Sequence, residues 1–366
     1  MYFDAFASAE RLVGAASQRM RELYAEGPLN PSSAHQEGRR ARKVLREART
    51  EVAQALGAHP DEVVFVSGTT EALALAVFGL RSPGRPAPPL CSRFEHPALY
   101  DALGEGAATF AYDHDGRPDP SSLAGGLVAC ALVNHETGIR ASLGDLGVLA
   151  VGAPLVVDAA QATLYARAAW AEPRVTALCL SSHKIGGPPG AGALLLRKGH
   201  PFVPLVRGGP QEHELRAGTE AVALAAGFAR ALTAYLADDH REARLAEATR
   251  RFEAGLATIP GMRVIAADRR RAPGVTAALA LGVPARALVE DLDALGVQIA
   301  SGAACSAHTN EPSSVLTALG LSRERAIEVF RVSFSGDERP EDLDRLVALL
   351  ADSVGKRRGE VAERGA

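Results

Sequence analysis

The chain has 366 residues, 47% of them hydrophobic, and a formal net charge of −3 at pH 7. That much apolar chain supports about two globular domains and excludes a disordered protein, while the near-balanced charge gives no reason to expect nucleic acid or an anionic membrane as a partner. No apolar run approaches the roughly 18 residues of a membrane span, and the opening MYFDAFASAERLVGAAS lacks the basic-then-apolar order of a secretory signal, so a cytoplasmic location is expected.

In chain order, residues 31–56 read as a helix rich in Arg and Glu, 62–66 as a strand and 70–80 as a helix. Short apolar strands follow at 127–133, 155–157, 177–180 and 192–196. They carry few polar residues, as parallel strands covered on both faces do. Strands alternating with helices predict an α/β sheet. Residues 221–256 carry helical periodicity through Leu224, Phe228, Leu232 and Leu236 and lead into a second part. From Met262 onward short strands (263–266, 276–281, 297–300) mix with helices (285–295, 340–353), which predicts a smaller α+β domain. The charged tail 356–366 has no apolar face and reads as mobile.

Chemistry gathers where the apolar strands end. Ser182-His183-Lys184 follows the run 177–180 and precedes Gly186-Gly187. A lysine delivered into a cleft by a buried strand loses part of its charge stabilisation, and its amine becomes available as a nucleophile. Ser67-Gly68-Thr69-Thr70-Glu71 joins a strand to a helix, and its free N–H groups and hydroxyls suit a phosphate or, more plainly, an N-cap. Asp158 ends the strand Val156-Val157, where a ligand of a parallel sheet lies; a buried carboxylate there needs a partner such as a protonated pyridine nitrogen. Asn134-His135-Glu136-Thr137-Gly138 reads as a turn that could also donate to a phenolic oxygen, and His96 as an imidazole able to stack on a ring and move protons. An anion cradle, a stacking imidazole, an acid and a lysine on one sheet edge form the set that pyridoxal phosphate needs. The four cysteines show no CxxC pair and no metal-ligand spacing, so free thiols and no metal are expected. Cys91, Cys130 and Cys179 lie in apolar runs and read as core, whereas Cys305 sits among small polar residues.

With these residues in hand, the chain resembles the cysteine desulfurases, in the class V aminotransferase group of fold-type I pyridoxal phosphate enzymes. The resemblance runs from Tyr2-Phe3-Asp4 to Arg331-Val332-Ser333-Phe334. Between them lie Asn30-Pro31-Ser32-Ser33-Ala34-His35, Ser67-Gly68-Thr69-Thr70-Glu71, Glu95-His96, Asn134-His135-Glu136-Thr137-Gly138 and Val157-Asp158-Ala159-Ala160-Gln161. Ser181-Ser182-His183-Lys184, Arg216-Ala217-Gly218-Thr219 and Ser301-Gly302-Ala303-Ala304-Cys305 follow in the family's order. The resemblance implies a large domain (11–240) with a mostly parallel seven-stranded sheet flanked by helices. It also implies a small α+β domain (1–10 and 241–366) carrying a mobile cysteine loop at about 301–313.

Residue by residue, the resemblance implies that Lys184 is the Schiff-base lysine and that Lys184 or His96 shifts the substrate's α-proton. Asp158 would pair with the pyridinium nitrogen and His96 would stack on the ring. Gln161 and His135 would lie near the phenolic oxygen. Thr69, Thr70, Ser181 and His183 would hold the phosphate, and Thr219 would reach the phosphate of a second subunit, so a homodimer is implied. Arg331, helped by Asn134 or Asn30, would grip the substrate carboxylate. Cys305 would take the sulfur of L-cysteine as a persulfide, release alanine and pass the sulfur to an acceptor protein, a scaffold or a thiolation enzyme. A selenocysteine lyase or another class V enzyme is the alternative, and a non-catalytic homologue a third. Cys305 speaks against a transaminase, which needs no nucleophilic thiol, and the set Lys184, Asp158, His96 and Cys305 against a dead copy. The chain departs from the family at Ala7-Ser8-Ala9, which replaces a threonine pair, at His135, where Asn is usual, and at Ala74, which replaces a common Asn.

Overall fold

The computed structural model describes residues 1–81, 87–119, 126–302 and 313–365. Cys305 and most of its loop lie outside the described residues. The chain divides into a larger unit, Arg11–Val133 with Ala141–Asp238, and a smaller one, Met1–Glu10 with Asn134–Arg140 and Asp239–Ala366. The segment Asn134–Arg140, read from sequence with the larger part, clusters with the smaller unit because its backbone bonds there. Ala272 N–H donates to Gly138 O at 2.8 Å and Arg140 N–H to Arg270 O at 2.9 Å.

The larger unit is built on seven short strands: β1 (Val63–Val66), β2 (Leu90–Ser92), β3 (Ala108–Phe110), β4 (Val128–Ala131), β5 (Leu155–Asp158), β6 (Val175–Ser181) and β7 (Gly192–Leu196). Their order is β1-β7-β6-β5-β4-β2-β3. The pairs β2/β3, β2/β4, β4/β5 and β5/β6 are parallel, while β7 is antiparallel to both neighbours. The reversal follows from chain length: residues 182–191 are too few for the helical crossover that a parallel partner needs. Every residue of β1, β2 and β4 to β7 is buried, which accounts for their largely apolar sequence.

The helix expected at 31–56 begins at Gln36, because Asn30 and Pro31 make a turn and His35 caps the helix by accepting Gly38 N–H; it ends at Leu56 on the left-handed Gly57. Helix Thr69–Leu80 packs Leu73, Leu75, Ala76 and Val77 into the same core as β1, β5, β6 and β7. The single helical run expected at 221–256 is two helices, Val222–Leu236 and Arg241–Leu256, one in each unit. The break falls at Asp238-Asp239, both weak helix formers.

In the smaller unit β8 (Met262–Val264), β9 (Val275–Ala280), β10 (Ala300–Ser301) and β11 (Val329–Ser333) form an antiparallel sheet in the order β10-β11-β9-β8. The strand expected at 297–300 shrinks to β10, because Gln298 pairs instead with the N-terminal segment: Gln298 N–H donates to Met1 O and Phe3 N–H to Gln298 O, each at 2.9 Å. Phe3 and Phe252 both meet Phe334 edge-on, which fixes that segment to the core. The last helix, Pro340–Gly365, runs on through the tail that was expected to be mobile. Its Arg357 pairs with Asp291, and Arg358 donates to Leu281 O and Pro260 O. Long polar side chains hold this stretch where no apolar face exists.

Candidate active site

Strand directions put the carboxyl ends of β1, β2, β4, β5 and β6 on one sheet edge, with the start of the reversed β7 among them. The register aligns Val66, Gly192 and Ser181 across β1, β7 and β6, and Cys179, Asp158 and Ala131 across β6, β5 and β4. In sheets of this kind ligands bind beyond that edge. The sequence motifs leave the sheet there: Thr69 and Thr70 after β1, His96 after β2, Asp158 and Gln161 at the end of β5, and Ser181, His183 and Lys184 at the end of β6.

Helix Thr69–Leu80 starts directly after β1, and no side chain caps it. Thr69 Oγ1 is buried with no hydrogen-bond partner among the described residues, and so is Ser182 Oγ. A buried polar atom left open costs about 1–3 kcal/mol, so these hydroxyls point to a ligand. Gly192 allows the turn to sit close to β7, since a Cβ there would strike Leu180 O and come within 2.9 Å of Gly68 Cα. Beside the turn, burial pushes the Glu71 carboxyl up, but bonds from Arg216 and Ser67 outweigh it and its pKa falls. Arg216 Nε donates to Glu71 Oε1 at 2.8 Å, which ties the 216–219 segment to this helix.

Asp158 is buried, and its Oδ1 accepts Ala160 N–H at 2.8 Å. Lys184 is half-buried on the short 3-10 turn His183–Ile185 that follows β6. Burial, then the charge of Lys184, lowers the pKa of His183 and favours its neutral form. His96 Nδ1 accepts Ala98 N–H at 3.1 Å, which caps helix Pro97–Leu103 and orients the ring. A neutral ring accepting at Nδ1 carries its proton on Nε2. Gln161 is partly buried three residues after Asp158.

Asn30 and Thr219 are exposed loop residues. Gln211 joins their loops: its Oε1 accepts Gly218 N–H at 3.1 Å and its Nε2 reaches Ser32 Oγ at 3.5 Å.

In the smaller unit Arg331 lies 4% exposed on β11. Its Nη2 bonds Asp4 Oδ1 at 2.6 Å and its Nη1 bonds His135 O at 2.9 Å, whereas Nε has no partner among the described residues. A buried guanidinium with a donor to spare suits a carboxylate. Asn134 Oδ1 accepts the N–H groups of Glu136 and Thr137 and the Thr137 hydroxyl, so it organises the turn. His135 serves Arg331 through its carbonyl, and its ring lies 3.4 Å from Glu136 Oε1. Ser313 Oγ bonds both oxygens of Glu136, at 2.8 and 2.6 Å, and Gly302 N–H bonds Val329 O at 2.7 Å. The described residues on either side of the cysteine segment are thus anchored.

Sequence reasoning missed several contributors. Glu95, in the motif with His96, is 1% exposed; burial pushes its carboxyl up to about 8. An acid directly after a short buried strand was the available signal. Glu212 binds Arg49 with both oxygens at 2.7 Å and accepts Phe65 N–H on β1, also at 2.7 Å. That grip holds Glu212, His213 and Glu214 in left-handed backbone conformations, each disfavoured by about 1–2 kcal/mol outside glycine. Nothing local in the sequence signals it.

A family model described as aminotransferase class-V matches residues 1–346. An IscS-like cysteine desulfurase of Mycobacterium tuberculosis is 34% identical over 92% of this chain and 92% of that protein. A cysteine desulfurase of Cereibacter sphaeroides is 35% identical over 98% and 96%. The solved structure of a NifS-like protein from Rickettsia africae has the same fold, with a TM-score of 0.84, 23% identity, and coverage of 96% of this chain and 99% of that one. The chain belongs to the class-V aminotransferase family, and within it to the group of the cysteine desulfurases. Fold type I is in general a pyridoxal phosphate fold, and the residues present fit that group: open hydroxyls at an uncapped helix start for the phosphate, Asp158 for a cationic ring nitrogen, and a half-buried lysine amine.

Proposed function

We propose that the protein is a pyridoxal phosphate-dependent cysteine desulfurase that converts L-cysteine to L-alanine and carries the sulfur as a persulfide on Cys305 for an acceptor protein. The observation that carries this reading is the buried, unbonded Thr69 Oγ1 on the same sheet edge as Asp158 and Lys184. When bound, the cofactor supplies an electron sink for charge developing at the substrate carbon. Thr69, Thr70, Ser181 and His183 hold its phosphate, Asp158 bears on its ring nitrogen, His96 covers the ring, and Gln161 and His135 serve the phenolic oxygen. Lys184 Nζ holds it covalently and moves the α-proton, with His96 as the other candidate. Arg331 grips the substrate carboxylate, with Asn134 or Asn30 assisting. The Cys305 thiolate attacks the substrate sulfur: an S–S bond forms, the C–S bond breaks, and its electron pair stays with the substrate carbon, which takes up a proton to give alanine.

The protein acts as a homodimer in which Thr219 serves the phosphate of the second copy. The exposed loops of Asn30 and Thr219, tied together by Gln211, support this reading. The test is to follow alanine and sulfide from L-cysteine with a reductant, beside L-selenocysteine. Alanine and sulfide in equal amounts are expected, and Cys305→Ala keeps the yellow colour of the holoenzyme but loses sulfide release. A protein that stays colourless with added cofactor overturns the assignment, and turnover of selenocysteine alone replaces it with a selenocysteine lyase.

A further inference from the structure

Glu95 is a buried acid that the reaction above does not use. Its Oε2 accepts Ala131 N–H at 2.8 Å, and its Oε1 bonds Ser92 Oγ. Ser92 Oγ also accepts Phe94 N–H at 3.2 Å, and Tyr100 Oη donates to Ser92 O at 3.1 Å. The carboxyl therefore ties the end of β2, from which His96 departs, to Ala131 of β4. Ala131 is the register partner of Asp158 on β5, and Leu132 N–H donates to Asp158 O at 2.9 Å. β4 lies between β2 and β5, and the Glu95 carboxyl reaches across to the end of β4, the strand beside that of Asp158.

Burial favours the neutral form of Glu95 and outweighs the bonds from Ser92 and Ala131 N–H, which favour the charged form; the charge of Asp158 adds to burial, and no ion pair offsets it among the described residues. The titratable groups packed around it come from β2, β4, helix Pro97–Leu103 and the residues after β3. Cys91 and Tyr100 are pushed up to about 12 by burial, and burial raises Cys130 and Tyr112 well above their ordinary values. All four are uncharged near neutral pH, and the Arg93 side chain is exposed. Among the described residues Asp158 is then the other carboxyl group that bears on Glu95.

We propose that Glu95 is a positioning residue that works as a neutral carboxylic acid: it holds the His96 strand end to β4, the strand that carries the register partner of Asp158, and by staying uncharged it leaves Asp158 as the single negative charge offered to the cofactor nitrogen. The cofactor part rests on the function proposed above; the protonation state does not. An amide has the same shape and offers one acceptor and one donor, so Gln at position 95 can accept Ala131 N–H and donate to Ser92 Oγ. The alkaline form is the inactive one, because a second carboxylate beside Asp158 disfavours two charges in a low dielectric.

Two measurements on wild type and Glu95→Gln decide it. The first is urea unfolding of cofactor-free protein from pH 5 to 9. The folded pKa of Glu95 lies above its unfolded value, so the stability it contributes is full below about 4.5 and lost as pH rises through about 8. Glu95→Gln flattens that fall. The second is the dissociation constant of pyridoxal phosphate against pH. It is expected to match between the two proteins at pH 7 within about threefold, and to weaken above pH 8 in wild type alone. A Glu95→Gln protein that does not fold, binds cofactor more than tenfold weaker at pH 7, or keeps the wild-type alkaline fall overturns the proposal. Wild type that binds no cofactor at any pH sinks the proposed function instead, and the cofactor-free curves still judge Glu95.

Discussion

The sheet edge of the larger unit and the Arg331 centre of the smaller unit are both polar and both largely buried, yet they are satisfied to different degrees. At the sheet edge, Thr69 Oγ1 and Ser182 Oγ have no partners among the described residues. Around Arg331, Asp4 and the His135 carbonyl already hold two of the three guanidinium nitrogens. Their assembly differs too. The sheet edge is set by backbone register, each strand delivering its own contiguous motif. The Arg331 centre draws on three distant segments: 1–10, 134–140 and β11. Open hydrogen-bonding groups on a stiff scaffold mark a place kept for a ligand. A buried charge held by protein partners also stabilises the fold that surrounds it, so mutation should separate the two regions.

The largest effect is expected at Arg331. Arg331→Ala leaves the partly buried Asp4 carboxylate and the His135 carbonyl without their donor, and removing one partner of a buried ion pair costs about 3–5 kcal/mol. Urea unfolding of the cofactor-free protein should show that loss, and the KM for cysteine should rise with it. Unchanged stability would mean that the Asp4 contact contributes nothing to the fold.

Thr69→Val should behave in the opposite way. The near-isosteric change removes a buried hydroxyl that has no partner among the described residues, so cofactor-free stability stays level or rises by up to about 1 kcal/mol. The lost bond to a charged phosphate, worth about 1.5 kcal/mol, weakens cofactor affinity roughly tenfold. A parallel loss of stability and affinity would erase the contrast between the two regions.

This contrast also governs what could be read from the sequence. Lys184, Asp158, Thr69 and Ser181 were legible because each sits at the end of an apolar strand, and strand ends on one edge of a parallel sheet follow from local pattern alone. The register of β6, β5 and β4 then puts Cys179, Asp158 and Ala131 in line without further information. What escaped depended on contacts between distant segments. The partnership of Asp4 with Arg331 spans 327 positions and that of Glu212 with Arg49 spans 163, and no local periodicity encodes either. Asn134 and His135 were visible as a motif, but their roles in the turn and through a backbone carbonyl required the fold. The tail failed for a related reason: a helix with no apolar face was read as mobile, although Arg357 and Arg358 hold it through polar contacts.

That tail provides the smallest of the expected effects. Arg357 bonds Asp291 through Nε at 2.9 Å, and the two side chains are 31% and 17% exposed. Pairs so close to solvent contribute about 0.2–1 kcal/mol, and Ser353 Oγ would still bond Asp291 at 2.6 Å after Arg357→Ala. The substitution should therefore cost less than about 1 kcal/mol, with no change in cofactor affinity. The bond from Arg357 is the main cause that holds the Asp291 pKa below its ordinary 3.8. A depressed carboxylate contributes stability above its unfolded pKa and loses it as pH falls through the folded value. The difference between wild type and Arg357→Ala should thus persist at pH 7 and vanish in strong acid. A larger loss, or one indifferent to acid, would show that this helix end is held by its packing, as the Arg331 centre is held by its charge.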